Sequence, residues 1–66
     1  MTMRLGRTLK QLRHARGLTQ AQVGARVGVT EAYISLLESG AKTNPSLQLL
    51  KRLAKVFRVT VGELAE

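Results

Sequence analysis

Residues 18–40, LTQAQVGARVGVTEAYISLLESG, read as two short helices joined by a tight turn. Thr19 offers a hydroxyl N-cap for a first helix over Gln20–Val27, taking up a backbone N–H that has no partner inside the helix. Gly28 stops that helix, because glycine enters a left-handed turn without a Cβ clash. Val29 bridges, Thr30 caps again, and Glu31–Ser39 is the second helix, closed by Gly40. Val23 and Val27 share one helical face, as do Ile34 and Leu37, and Val29 plugs the angle between them. Gly24 sits mid-helix at a cost of roughly 1 kcal/mol against alanine. That cost makes sense if the second helix crosses close by.

The flanks extend the same logic. Leu5, Leu9 and Leu12 fall on one face and predict a first helix over 2–16, with Thr2 as cap and Gly17 as stop. Arg4, Arg7, Lys10 and His14 lie mostly on its other side, and Arg13 and Arg16 suit the dipole at its end. Residues 41–45 form a loop, and Ser46 caps a helix with the stripe Leu47, Leu50, Leu53, Ala54 and Phe57. Lys51, Arg52, Lys55 and Arg58 line the remainder as a solvated face. Leu49 and Val56 lie off the stripe, placed to flank the core or to meet another chain. Thr60 caps a last helix over Val61–Ala65, with Val61 and Leu64 inward. The expected fold is all-α, a compact bundle of five short helices in one domain over 1–66. Its expected core is Leu5, Leu9, Leu12, Val23, Val27, Ile34, Leu37, Leu47, Leu50, Leu53, Phe57 and Leu64.

Composition narrows the function. The chain has 66 residues, a size that buries only about 60% of the unfolded surface and leaves stability marginal. With no cysteine and one histidine there is no disulfide framework and little to build a metal site from; no cofactor is expected. Eleven Lys and Arg against four acidic residues give a net charge of +7, which favours a polyanion partner, nucleic acid before an anionic membrane surface. No apolar run approaches the roughly 20 residues of a membrane span, and Arg4 and Arg7 precede no apolar signal region. A cytoplasmic location is the expectation. The basic, amphipathic first helix could lie on a membrane, but its three leucines serve better as core.

Two capped helices around this turn make a helix-turn-helix, whose second helix enters the DNA major groove. The chain resembles the lambda repressor-like family of Cro and repressor type, often called XRE. The resemblance rests on Leu18-Thr19-Gln20, Val23-Gly24, Gly28-Val29-Thr30, Tyr33-Ile34-Ser35, Glu38-Ser39-Gly40 and Asn44-Pro45-Ser46-Leu47. It continues through Leu50, Ala54, Val59-Thr60 and Glu63-Leu64, and so covers nearly the whole chain. It implies a homodimer on a palindromic double-stranded operator, with half-sites about one helical turn apart. The last helix and the loop after the fourth are the expected dimer contact. No ligand-binding region is expected within the chain, so effector sensing would need another protein.

The expected DNA-contacting residues are Thr19, Gln20, Thr30, Glu31, Ala32, Tyr33, Ser35, Leu36, Ser39, Lys42, Thr43 and Asn44. Gln20 stands where free N–H groups and the helix dipole favour an anion. By resemblance it binds a phosphate and braces the start of the second helix of the motif. Thr19 and Thr30 combine capping with phosphate contact, and Lys42, Thr43 and Asn44 suit phosphate too, although any loop before a proline looks similar. The resemblance makes Glu31, Ala32 and Leu36 the base readers, with Tyr33 and Ser35 nearby. Ala32 and Leu36 depart from the long polar readers frequent in the family; they offer only apolar contact, for instance to a thymine methyl. Glu31 can accept from cytosine N4 or simply suit the helix dipole. Tyr33 can stack on sugar or donate its hydroxyl to phosphate. A modest direct readout with a larger share from DNA shape is therefore expected.

Glu38 falls on the inner side of its helix, where a charge is costly unless paired. By resemblance its partner is Arg13, in a buried structural salt bridge; the alternative is two exposed charges of little energetic weight. Arg58 stands where the family often has glycine, asparagine or aspartate, so the fourth helix either ends differently or tolerates strain. A phage-type repressor, a restriction–modification controller and an antitoxin all fit this description. Tyr33, Leu36, Leu49 and Val56 would serve the other reading, a protein-interaction module whose main partner is a toxin. No nucleophile–base pair, metal cluster or phosphate-cradling loop points to an enzyme. Tyr33 and Phe57 are too few aromatics for a typical RNA-stacking module.

Overall fold

The computed structural model describes residues 4–65, which form five helices: α1 (Leu5–Ala15), α2 (Gln20–Val27), α3 (Glu31–Ser39), α4 (Leu47–Phe57) and α5 (Val61–Ala65). No strand occurs among the described residues. The helices after the first begin on hydroxyl caps. Thr19, Thr30, Ser46 and Thr60 accept the N–H of Gln22, Tyr33, Leu49 and Glu63 at 3.1, 3.1, 3.1 and 3.0 Å. At Thr19 the cap is a reciprocal box, since the Gln22 side chain accepts the Thr19 N–H at 2.8 Å. Its sequence signal is Thr19 followed three residues later by Gln22. Helix α1 begins at Leu5 on Arg4, without a side-chain cap; the expected start at Thr2 lies outside the described residues.

Helix α2 packs on α3, α3 on α1, and α4 lies against α2 and α5, with α5 returning to α1. Between them sit Leu5, Leu9, Val23, Val27, Ile34, Leu37, Leu49, Leu53, Ala54, Phe57 and Leu64, all buried. Helices α2 and α3 each end on a left-handed glycine, Gly28 at φ 80° and Gly40 at φ 83°.

Helix α4 departs from expectation. Leu49 is buried, whereas Leu47 is 59% exposed, and Leu50 and Leu12 are only partly covered. At about 100° per residue, Leu49, Leu53 and Phe57 follow one line down the helix, and Leu50 and Ala54 border it. Val56 packs at the margin of the core. The apolar residues of α4 span roughly half its circumference, so spacing alone allowed two core lines, and the neighbouring helices selected this one. Arg52 is likewise no mere solvated charge: its Nη1 donates to the Val27 carbonyl at 3.3 Å, at the end of α2. Arg16 does the same for α4, donating to the Phe57 carbonyl at 2.7 Å and lying over the Phe57 ring.

Candidate nucleic-acid interface

Helix α3 is anchored from inside. Ile34 and Leu37 are its buried residues, and they leave Glu31, Ala32, Ser35 and Leu36 exposed along the opposite side. Leu36 is 45% exposed. The approach of α2 to α3 depends on Gly24: a Cβ there would lie 2.7 Å from the Val29 carbonyl oxygen and 3.1 Å from the Thr30 carbonyl carbon. The close neighbour is thus the turn backbone itself rather than the body of the second helix. Gly6, which no local signal in the sequence singles out, does the equivalent for α1, where a Cβ would lie 2.8 Å from the Glu38 carbonyl oxygen.

Beneath the outward face, Glu38 joins three helices. Arg13 Nε donates to its Oε2 at 2.6 Å and Arg13 Nη2 to its Oε1 at 3.0 Å. The two side chains are 10% and 4% exposed. Burial pushes the Glu38 carboxyl up, but the hydrogen bonds from Arg13 and Gln20, with the charges of Arg13 and His14, hold it below the ordinary value. Hydrogen bonding to Glu38 raises Arg13 further, against the opposing effect of burial.

Gln20 Nε2 donates to Glu38 Oε1 at 3.2 Å. It therefore braces the end of α3, not its start as expected. The reason is geometric: the turn joins the end of α2 to the start of α3, which leaves the first residue of α2 beside the last turn of α3. A groove of about 540 Å³ opens there, lined by Lys10, Arg13, Gly17, Leu18, Thr19, Gln20, Ser35, Glu38 and Ser39. It brings Thr19, Gln20, Ser35 and Ser39 together. It adds Lys10, which the sequence placed only on the polar side of its helix. Thr19 and Thr30 accept backbone N–H bonds with their oxygens, so each hydroxyl proton remains for an external acceptor.

The other expected residues lie elsewhere. Thr30, Glu31 and Ala32 stand at the opposite end of α3, and Lys42, Thr43 and Asn44 are exposed in the following loop. Ser39 is engaged locally: its hydroxyl donates to the Leu36 carbonyl at 3.1 Å and accepts the Ala41 N–H at 3.3 Å. Tyr33 is half-buried against the core, with the Lys42 ammonium 5.7 Å from its ring centroid. Among the described residues no helix is long and apolar enough to cross a membrane.

This arrangement, a capped helix pair with its second helix exposed along one side, is that of a helix-turn-helix domain. The chain belongs to that family, whose model matches residues 4–66. It is 32% identical over 62 residues to the HTH-type transcriptional regulator SinR of Bacillus subtilis (strain 168), covering 94% of this chain and 56% of that protein. The chain thus spans about half the length of SinR. The structure of SinR in complex with DNA superposes with a TM-score of 0.84 at 33% identity, covering 91% of this chain and 95% of that one. The restriction-modification controller protein C.AhdI from Aeromonas hydrophila gives a TM-score of 0.83 at 31% identity, with 92% and 91% covered. Hydroxypropylphosphonic acid epoxidase from S. wedmorenis shares the fold alone, at 24% identity and a TM-score of 0.84 over 94% of this chain and 32% of that one.

Proposed function

We propose that the chain binds double-stranded DNA sequence-specifically and regulates transcription, as a homodimer on an inverted-repeat operator. The observation that carries this reading is the outward side of α3: Glu31, Ala32, Ser35 and Leu36 stand exposed on a helix fixed from beneath by Ile34, Leu37 and Glu38. Such a helix suits the major groove, where side chains read base edges. Thr19, Gln20 and Lys10 at one flank and Lys42, Thr43 and Asn44 at the other supply phosphate contacts, which position the helix and provide most of the affinity. Similarity to SinR and C.AhdI, one a transcriptional regulator and the other a restriction–modification controller, supports the reading. Ala32 and Leu36 contribute apolar contacts, and DNA shape supplies much of the remaining specificity. The reaction chemistry of an enzyme has no part in it, and the cytoplasm is the compartment it implies.

Selection from a random duplex pool at about 0.15 M salt tests the claim, because non-specific phosphate binding is weakened there. Enrichment of an inverted repeat with half-site centres about 10 base pairs apart, or a multiple of that, is the expected result. A folded protein that enriches nothing overturns it.

The second reading, a protein-docking module, draws on the exposed Leu36 and Leu47. Of the two residues placed either to flank the core or to meet another chain, Leu49 is buried and Val56 packs at the core's margin. Gln20→Ala separates the two: it removes a phosphate contact and weakens DNA binding, while a protein docked on Leu36 and Leu47 is untouched.

A further inference from the structure

Lys42 lies beyond α3, yet it is tied to that helix twice. Its backbone N–H donates to the Leu36 carbonyl at 3.0 Å, the same oxygen that takes the Ser39 hydroxyl. Its ammonium sits 5.7 Å from the Tyr33 ring centroid. Tyr33 is itself packed against the core, so the aromatic surface under Lys42 is held still. The negative face of an aromatic ring attracts a cation within about 6 Å. A lysine side chain is otherwise among the most mobile, and fixing its head in advance removes an ordering cost that binding would have to meet.

Resting on the DNA reading above, we propose that Tyr33 is a positioning residue: its ring holds the Lys42 ammonium beside α3, ready to pair with one phosphate of the DNA backbone. The contribution of Tyr33 to DNA binding comes from the ring rather than the hydroxyl. A lysine ammonium is a compact point charge, suited to a single phosphate oxygen.

The test uses the full chain and a fluorescein-labelled mixed-sequence duplex of about 20 base pairs, titrated from about 50 to 200 mM salt. Lys42→Met lowers the slope of log affinity against log salt by about 0.9, the value for one phosphate. Tyr33→Phe keeps wild-type affinity, whereas Tyr33→Leu weakens it about two- to fivefold. On the Lys42→Met background Tyr33→Leu has no further effect, because the two residues act as a unit. In the free protein, NMR shows the Lys42 ε-methylene protons shifted upfield by the ring; Tyr33→Phe keeps that shift and Tyr33→Leu loses it, with the rest of the spectrum still dispersed.

Equal losses in Tyr33→Phe and Tyr33→Leu overturn the proposal in favour of a hydroxyl contact. So do additive losses in the double variant. A wild-type chain that shows the upfield shift but binds no duplex overturns the DNA reading itself, and the proposal with it.

Discussion

The guanidinium of Arg13 grips both carboxylate oxygens of Glu38, Nε to Oε2 at 2.6 Å and Nη2 to Oε1 at 3.0 Å, across a separation of 25 residues. Arg13 also donates to the Leu18 carbonyl at 2.9 Å, and Gln20 adds its own bond to Glu38. The Arg13–Glu38 pair thereby ties α1, the loop after it and the start of α2 to the last turn of α3. Removing Glu38 leaves Arg13 buried and unpaired, which costs about 3–5 kcal/mol. In a chain of 66 residues, whose whole stability is of order 3–10 kcal/mol, that is a severe loss. Urea unfolding of Glu38→Gln measures it, and an unchanged midpoint would sink the structural role of the pair.

The same carboxylate makes stability pH-dependent. Burial raises Glu38, but the bonds from Arg13 and Gln20 outweigh it, so the folded-state value lies below the ordinary one of about 4.3. Its contribution is complete above that unfolded-state value and is lost as pH falls through the lower folded-state value. The wild-type urea midpoint should drop on acidification below about pH 4.3, and Glu38→Gln should show a smaller drop over the same range.

Two glycines hold helices at distances no side chain allows. Alanine at position 6 would strike the Leu37 and Glu38 carbonyl oxygens, and alanine at position 24 the Val29 carbonyl oxygen. These neighbours are backbone and cannot swing aside. Each substitution gains roughly 1 kcal/mol in helix propensity but should still destabilise by about 1–3 kcal/mol net. Thermal melts should show each variant lower by at least about 4 °C; a rise in Tm at either site would refute the close approach.

Arg58 ends α4 in the left-handed region, at φ 55° and ψ 44°, the non-glycine residue with positive φ among those described. The helix therefore closes as the family pattern has it, with arginine bearing the strain. The N–H groups of Arg58 and Val59 return to the Lys55 and Ala54 carbonyls at 3.3 and 3.0 Å, which holds the residue there. Arg58→Gly relieves the Cβ clash and should raise stability by about 0.5–1 kcal/mol in chemical denaturation.

The register of α4 is open to a paired test. Leu49→Ala empties a buried site and should cost about 2–4 kcal/mol, whereas Leu47→Ala, at 59% exposure, should stay within about 0.5 kcal/mol. The reverse order would return α4 to the stripe read from spacing alone.

Much of the molecule is written locally. Thr19, Thr30, Ser46 and Thr60 mark helix starts, and Gly17, Gly28 and Gly40 mark stops, because caps and left-handed turns depend on residues within one turn of themselves. The element order, the motif and the outward side of α3 follow from such signals together with hydrophobic period. What lay beyond them depended on neighbours distant in sequence. Spacing could not say which of Leu47 and Leu49 faces the core, since both lie on one broad apolar arc. Nor could it reveal that Gly6 meets α3, that Arg16 and Arg52 close the ends of other helices, or that Gln20 reaches Glu38 rather than the start of α3. Where helices begin, end and turn is set locally, because those are short-range choices of hydroxyl, glycine and period. Which faces meet and which long side chains become internal ties emerges only on folding, because packing in so small a core is settled by shape and by unsatisfied carbonyls on neighbouring helices.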